Sequence, residues 1–215
     1  MTPALQSHAT LSLCRLAPVI PVLVVDEVRH AAPLARALVA GGLPVLEVTL
    51  RTPAALEAIA EMARVPGARV GAGTVLSASD AARARAAGAQ FAVSPGATDA
   101  LVSACVAQGL PLLPGAATAS EVMALMEAGY RTLKFFPAEA AGGRPLLEAL
   151  RGPLPQALFC PTGGITEASA PAWLNLQNVV CVGGSWVAPG ALVRVGDWAG
   201  IERLARAAAA LPRGD

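Results

Sequence analysis

Apolar residues gather into eight short runs along the chain: Val19–Val25, Val45–Thr49, Ala68–Gly71, Gln90–Val93, Leu110–Leu113, Thr132–Phe135, Ala157–Cys160 and Val179–Val182. Their starts are roughly 20 to 26 residues apart. The runs are continuously apolar rather than alternating, which is the pattern of parallel strands covered on both faces. Between them lie helical patterns with their own start and stop signals. Asp26 is placed to cap Glu27–Val39. Thr52 followed by Pro53 reads as N-cap and first residue of a helix over Pro53–Ala63, and Ser79 opens one running to Ala87. Thr98 or Asp99 opens the next, and Thr118 or Ser120 the one ending at Ala128. Gly42, Gly88, Gly109 and Gly129 stand where helices should end, each just before a strand, and give the chain a weak internal repeat. The alternation predicts an α/β fold, a (β/α)8 TIM barrel forming a single domain over residues 1–215. Residues 1–16 are expected as an extra N-terminal helix plugging one barrel end, and the Arg-Gly-Asp end at 213–215 is expected to fray. A doubly wound open sheet is the rival arrangement.

Composition narrows the function. Of 215 residues, 54% are hydrophobic and 14% charged, which supplies one large core and argues against disorder. The net charge is +1 and there is no long basic run, so nucleic acid is not an expected partner. The stretch Leu16–Val25 is broken by Pro18 and Pro21 and is about half the length that spans a bilayer. It reads as a buried strand rather than a signal peptide or membrane segment. Cys14, Cys105, Cys160 and Cys181 are far apart and form no CxxC pair, as in the reduced thiols of a cytoplasmic protein. The only histidines, His8 and His30, have no ligand spacing, so neither zinc nor any other cofactor is expected.

One residue breaks the compositional pattern. Lys134 is the only lysine among 16 basic residues. Guanidinium replaces surface ammonium groups easily, but it cannot serve where a deprotonatable amine is needed. Lys134 lies inside an apolar run at a predicted strand end. In a barrel, chemistry sits at the C-terminal ends of the strands. Alternation puts Glu47, Thr49 and Arg51 on one face of the second strand. Glu47 follows Gly42, and Lys134 follows Gly129, by the same interval, so the two are expected at similar heights.

Buried together, they read in two ways. They could be an ion pair that only fills the barrel, which is costly to bury. Alternatively, burial lowers the amine's pKa and yields a neutral nucleophile, with Glu47 shuttling protons. Arg51 offers a bidentate fork for a carboxylate, and Thr74, at the end of the third strand, a hydroxyl donor. Thr162-Gly163-Gly164 and Gly183-Gly184-Ser185 follow the last two strands, where barrels often hold phosphate on backbone N–H groups.

The stretches Pro18–Val22, Val45–Thr52, Val70–Val75, Phe91–Gly96, Lys134–Glu139, Cys160–Ile165 and Gly183–Trp186 together resemble the 2-keto-3-deoxy-6-phosphogluconate (KDPG) aldolase family, which includes 4-hydroxy-2-oxoglutarate (KHG) aldolases. The resemblance implies a metal-free class I aldolase in carbohydrate metabolism, usually a homotrimer, acting on a phosphorylated 2-keto acid. By matching position, Lys134 would form the Schiff base and Glu47 would be the general acid and base. Arg51 and Thr74 would hold the substrate carboxylate. Pro95, Phe136 and Thr162 would shape the pocket, Thr162 helping to set stereochemistry. Gly163, Gly164, Gly184 and Ser185 would hold phosphate. Ala141 departs from the pattern, because relatives often carry a polar residue there. The alternatives are preference for unphosphorylated 4-hydroxy-2-oxoglutarate or for the phosphogalactonate epimer, a barrel isomerase or epimerase, and a non-catalytic phosphosugar-binding protein.

Overall fold

Strands and helices alternate throughout the computed structural model, which describes residues 1–214. The order is α1 (Pro3–Cys14), β1 (Val19–Leu23), a 3-10 turn (Val28–His30) leading into α2 (Ala31–Ala40), β2 (Val45–Thr49), α3 (Ala55–Ala63), β3 (Arg69–Gly73), α4 (Ala78–Ala86), β4 (Phe91–Val93) and α5 (Asp99–Ala107). It continues with β5 (Leu112–Leu113), β6 (Gly115–Ala116), α6 (Ala119–Ala128), β7 (Thr132–Phe135), α7 (Gly143–Arg151), β8 (Leu158–Pro161), α8 (Ala170–Leu174), β9 (Val182–Gly184), α9 (Gly190–Val195) and α10 (Trp198–Ala209).

Every strand pairing is parallel. The strands form a curled sheet in the order β5-β4-β3-β2-β1-β9 and a second sheet in the order β6-β7-β8. Only Pro114 separates β5 from β6, and it has no N–H to continue a ladder. Two isolated parallel bridges, Phe159↔Val179 and Thr162↔Gly183, join the line of β8 to that of β9.

Period-two alternation divides the core. Ile20, Val45, Phe91, Val93, Leu113, Cys160 and Cys181 form one buried cluster with Cys14 of α1. The intervening residues, among them Leu46, Val48, Val70, Ala92, Leu133 and Phe159, pack outward into a larger cluster with the helices. Apart from a few buried polar positions, Glu47, Thr49, Thr132 and Lys134 among them, the strands are apolar on both faces, which is why the runs do not alternate in the sequence. All four cysteines are buried and free. Burial raises the Cys105 thiol to about 11. The thiol of Cys181 is also raised well above its usual value, first by hydrogen bonding to Cys14 and then to Cys160.

The N-terminal helix closes the end of the sheet opposite the strand C-termini, and it does so with polar residues. Its buried positions are Gln6, Ser7, Thr10 and Cys14. The Gln6 Oε1 accepts from Leu112 N (3.3 Å) and from the Tyr130 hydroxyl. The Ser7 Oγ accepts from Arg131 N (2.8 Å) and Thr132 N (2.9 Å). Three of these four bonds come from backbone donors at the starts of β5 and β7, which α1 thereby satisfies.

Several helix starts differ from the sequence expectation. Asp26 caps nothing, because a 3-10 turn precedes α2 and the residue before it is Glu27. Thr52 does not cap α3; its hydroxyl donates to Val25 O (2.6 Å), tying the β2 end to the β1 end, and the helix begins at Ala55. Ser77, not Ser79, caps α4, accepting from Asp80 N. Thr98 and Thr118 are the caps of α5 and α6, the latter in a full capping box with Glu121. Gly42, Gly88, Gly109 and Gly129 all have positive φ (93°, 95°, 59° and 109°), as their helix-ending role requires. The chain end is tied down rather than frayed at 213 and 214: Arg213 donates to Arg15 O and Gly214 N to Leu174 O, both at 3.0 Å. Asp215 lies outside the described residues. Among the described residues, no helix is long and apolar enough to cross a membrane.

Candidate active site

The site is built from one layer of inward-facing strand positions and the layer above it. Glu47 on β2 is in register with Val22 and Gly71. Lys134 on β7 is in register with Gly115 and Cys160. The curl of the strands brings these two side chains together. Lys134 Nζ lies 3.2 Å from Glu47 Oε1, with the side chains only 6% and 4% exposed. Nζ also stands 5.1 Å from the centre of the Phe136 ring, whose π face favours a cation.

At the C-terminal ends of the strands is a cavity of about 480 Å³, within the usual range for small-ligand sites. It is lined by Arg51, Phe136 and Thr162, by Gly183 and Gly184 of β9, and by Gly163, Gly164 and Ser185 from the loops after β8 and β9. Lys134 and Glu47 are not on this wall. Glu47 is in register with Val22, which does line the cavity, and Lys134 stands two residues before Phe136, which lines it too. Arg51 is the only cationic residue among the lining residues.

The glycine loops have the backbone expected of close-approach sites. Gly163 and Gly164 have φ of 105° and 83°, which an L side chain rarely adopts. Gly163 O and Thr162 O accept from Glu139 N (3.1 Å) and Ala138 N (2.8 Å), so the loop is braced by the segment after Lys134. The departure at Ala141 leaves that segment intact, since Ala141 N donates to Pro137 O at 2.8 Å.

Two expected residues are placed less directly. Thr74 is not on the cavity wall. It follows Gly73, and its φ of 59° is the one positive value at a non-glycine among the described residues, a strained geometry for a β-branched side chain. Pro95 is also off the wall; its carbonyl packs against Gly115, the register partner of Lys134.

Glu139 was missed as a lining residue by sequence reasoning. Its carboxylate accepts from Trp173 Nε1 at 3.1 Å, a pairing across 34 positions that no local spacing could show. Among the described residues there is no group of three or more His, Cys, Asp or Glu that could hold a metal ion.

Comparison with known proteins agrees with this geometry. The family model for KDPG and KHG aldolase matches residues 11–204. The 2-dehydro-3-deoxy-phosphogluconate aldolase of Zymomonas mobilis is 54% identical over 202 residues, covering 94% of this chain and 96% of its own. The KHG/KDPG aldolase of Escherichia coli is 50% identical over 198 residues, covering 92% and 93%. The crystal structure of the Legionella pneumophila KDPG aldolase, with pyruvate captured at low pH as a covalent carbinolamine, superposes with a TM-score of 0.90 at 46% identity, covering 93% of this chain and 98% of its own. With a buried amine–carboxylate pair close to a glycine-rich cavity, and these matches along almost its whole length, the chain belongs to the KDPG and KHG aldolase family.

Proposed function

We propose that the protein is a class I aldolase that cleaves 2-dehydro-3-deoxy-6-phosphogluconate to pyruvate and glyceraldehyde 3-phosphate through a Schiff base on Lys134. The observation that carries this reading is the buried Lys134–Glu47 contact at 3.2 Å, next in the strands to a cavity lined by the Arg51 guanidinium and by the glycine segments at the ends of β8 and β9.

The chemistry follows from those positions. Glu47 takes the ammonium proton, and the free amine adds to the C2 ketone to give a carbinolamine; Glu47 then returns that proton to the carbinolamine hydroxyl, which leaves as water to give an iminium and a carboxylate free to act again. The iminium draws the C3–C4 bonding pair as the bond breaks. Glu47, directly or through one water, accepts the C4 hydroxyl proton as the aldehyde forms. The resulting enamine is protonated at C3, and hydrolysis releases pyruvate and regenerates the amine. Arg51 and Thr74 hold the carboxylate. Gly163, Gly164, Gly184 and Ser185 hold the phosphate on backbone N–H groups and one hydroxyl. Pro95, Phe136 and Thr162 shape the pocket, and Thr162 contributes to the stereochemical preference at C4. The same machinery would cleave 4-hydroxy-2-oxoglutarate to pyruvate and glyoxylate.

The two sheets are read as one closed (β/α)8 barrel in a single domain. Support comes from the short gap at Pro114 between β5 and β6, and from the two bridges joining β8 to β9. A homotrimer in the cytoplasm, placed in carbohydrate metabolism through the Entner–Doudoroff pathway, is the corresponding biological reading. The test is turnover of the phosphorylated substrate against 4-hydroxy-2-oxoglutarate. Preference for the phosphorylated substrate is expected, and equal or reversed rates would transfer the assignment to the unphosphorylated one.

A further inference from the structure

On the inward side of the strands, four glycines leave their space to a group from a neighbouring strand or the segment that follows it. The Phe91 ring fills the place of a side chain at Gly71, the Pro95 carbonyl at Gly115, the Thr162 hydroxyl at Gly183 and the Glu47 carboxylate at Gly73. The last of these reaches the chemistry. Glu47 is in register with Gly71, but its side chain runs forward along the strands and lies over Gly73. A Cβ at position 73 would stand 2.6 Å from Glu47 Cγ and 2.8 Å from Cδ. It would be nearer still to Oε1, the oxygen bonded to Lys134. Gly73 is a strand residue and is not among the glycines of positive φ. Its backbone does not need glycine; the space above it does.

We propose that Gly73 is a positioning residue: the missing side chain is the seat that holds the Glu47 carboxylate against Lys134. The inference rests on the aldolase reading and adds to it the origin of the acid–base geometry. An alanine there meets the far end of a flexible side chain, so the carboxylate swings away while β2 and β3 stay paired. Lys134 keeps its place on β7. Amine addition to a ketone then continues, and the proton transfers assigned to Glu47 slow.

Pyruvate separates the two. On the pyruvyl iminium, Glu47 removes a methyl proton, the C–H electron pair becomes the enamine double bond and the nitrogen becomes neutral. In heavy water the reverse step returns a deuteron. Gly73→Ala is expected to trap pyruvate on Lys134 under borohydride as wild type does, while methyl exchange followed by NMR, and kcat for cleavage, fall at least about tenfold. In a Glu47→Ala background, which leaves the seat empty, Gly73→Ala is expected to cause no further loss of exchange and no loss of thermal stability.

Exchange within twofold of wild type in Gly73→Ala would overturn the proposal. So would an equal further loss in the Glu47→Ala background, since Gly73 would then act by another route. If Gly73→Ala alone does not fold, a folded double variant supports the seat, and an unfolded one overturns it. Absence of a wild-type adduct would overturn the aldolase reading and this proposal with it; a wild-type adduct with normal exchange in Gly73→Ala overturns this proposal alone.

Discussion

Lys134 Nζ and Glu47 Oε1 meet at 3.2 Å inside the curled sheet, although 87 positions separate them in the chain. Neither side chain has another charged partner within ion-pair distance among the described residues. Such a pair is poorly explained by stability, because desolvation offsets most of its attraction. Removing one member is different, because it leaves a charge buried alone. Lys134→Arg is expected to fold and to have no measurable turnover, since guanidinium cannot form the imine. Lys134→Met is expected to lose about 3–5 kcal/mol in urea unfolding. A turnover near wild type in Lys134→Arg would remove the lysine from the mechanism.

Substitutions at the two ends of the cavity should separate by substrate. Arg51→Gln removes a charge-assisted contact to the carboxylate, which all candidate substrates carry. A loss of about 1.5–3 kcal/mol is roughly ten- to hundredfold in kcat/KM, expected equally for phosphorylated and unphosphorylated substrates. Ser185→Ala should lower kcat/KM for the phosphorylated substrate alone. Steady-state kinetics on both substrates checks both; an Arg51→Gln effect confined to the phosphorylated one would exchange the two ends.

The polar face of α1 should matter as much as an apolar one. Ser7→Ala leaves Arg131 N and Thr132 N without their acceptor. The expected cost is about 1–3 kcal/mol, or several degrees in Tm for a chain of this size. Catalytic parameters should be unchanged, because the site is at the opposite end of the strands. A Ser7→Ala melting curve overlying that of wild type would mean these donors find other partners.

The capping box of α6 gives a pH-dependent term. Glu121 Oε2 accepts from Ala117 N (2.7 Å), Thr118 N (2.9 Å) and the Thr118 hydroxyl (3.0 Å). The Ala117 N–H, followed by the two groups of Thr118, holds the carboxyl below its usual value despite partial burial. A carboxyl depressed in the folded state stabilises above its unfolded pKa and loses that contribution as pH falls through the folded one. Glu121→Gln should therefore be less stable than wild type at neutral pH and converge with it only as pH falls below the depressed folded-state value of the carboxyl. Thr118→Ala should cost about 0.5–2 kcal/mol throughout the neutral range. A pH-independent gap between Glu121→Gln and wild type in urea titrations would contradict this.

Lys134 could be read from the sequence because one lysine among arginines is a compositional signal, and Glu47 because its alternation with Arg51 put it on an inward face. The strand–helix alternation was equally legible, since double-sided burial leaves continuous apolar runs. What stayed hidden has a common physical origin. The hydroxyl of Thr52 bonds to Val25 O across to β1 instead of capping its own helix, and the buried face of α1 carries Gln6 and Ser7 because their partners are backbone N–H groups at the starts of β5 and β7. The seat at Gly73 is a contact between neighbouring strands, and in sequence it is only one glycine among 21. In each case a local pattern was overruled by a partner distant in the chain.

The central claim is the imine on Lys134, and borohydride reduction in the presence of pyruvate followed by peptide mass mapping tests it most directly. The account predicts one pyruvyl adduct, on the peptide carrying Lys134, abolished in Lys134→Arg. A folded protein that acquires no adduct, or acquires it on any other residue, would contradict it.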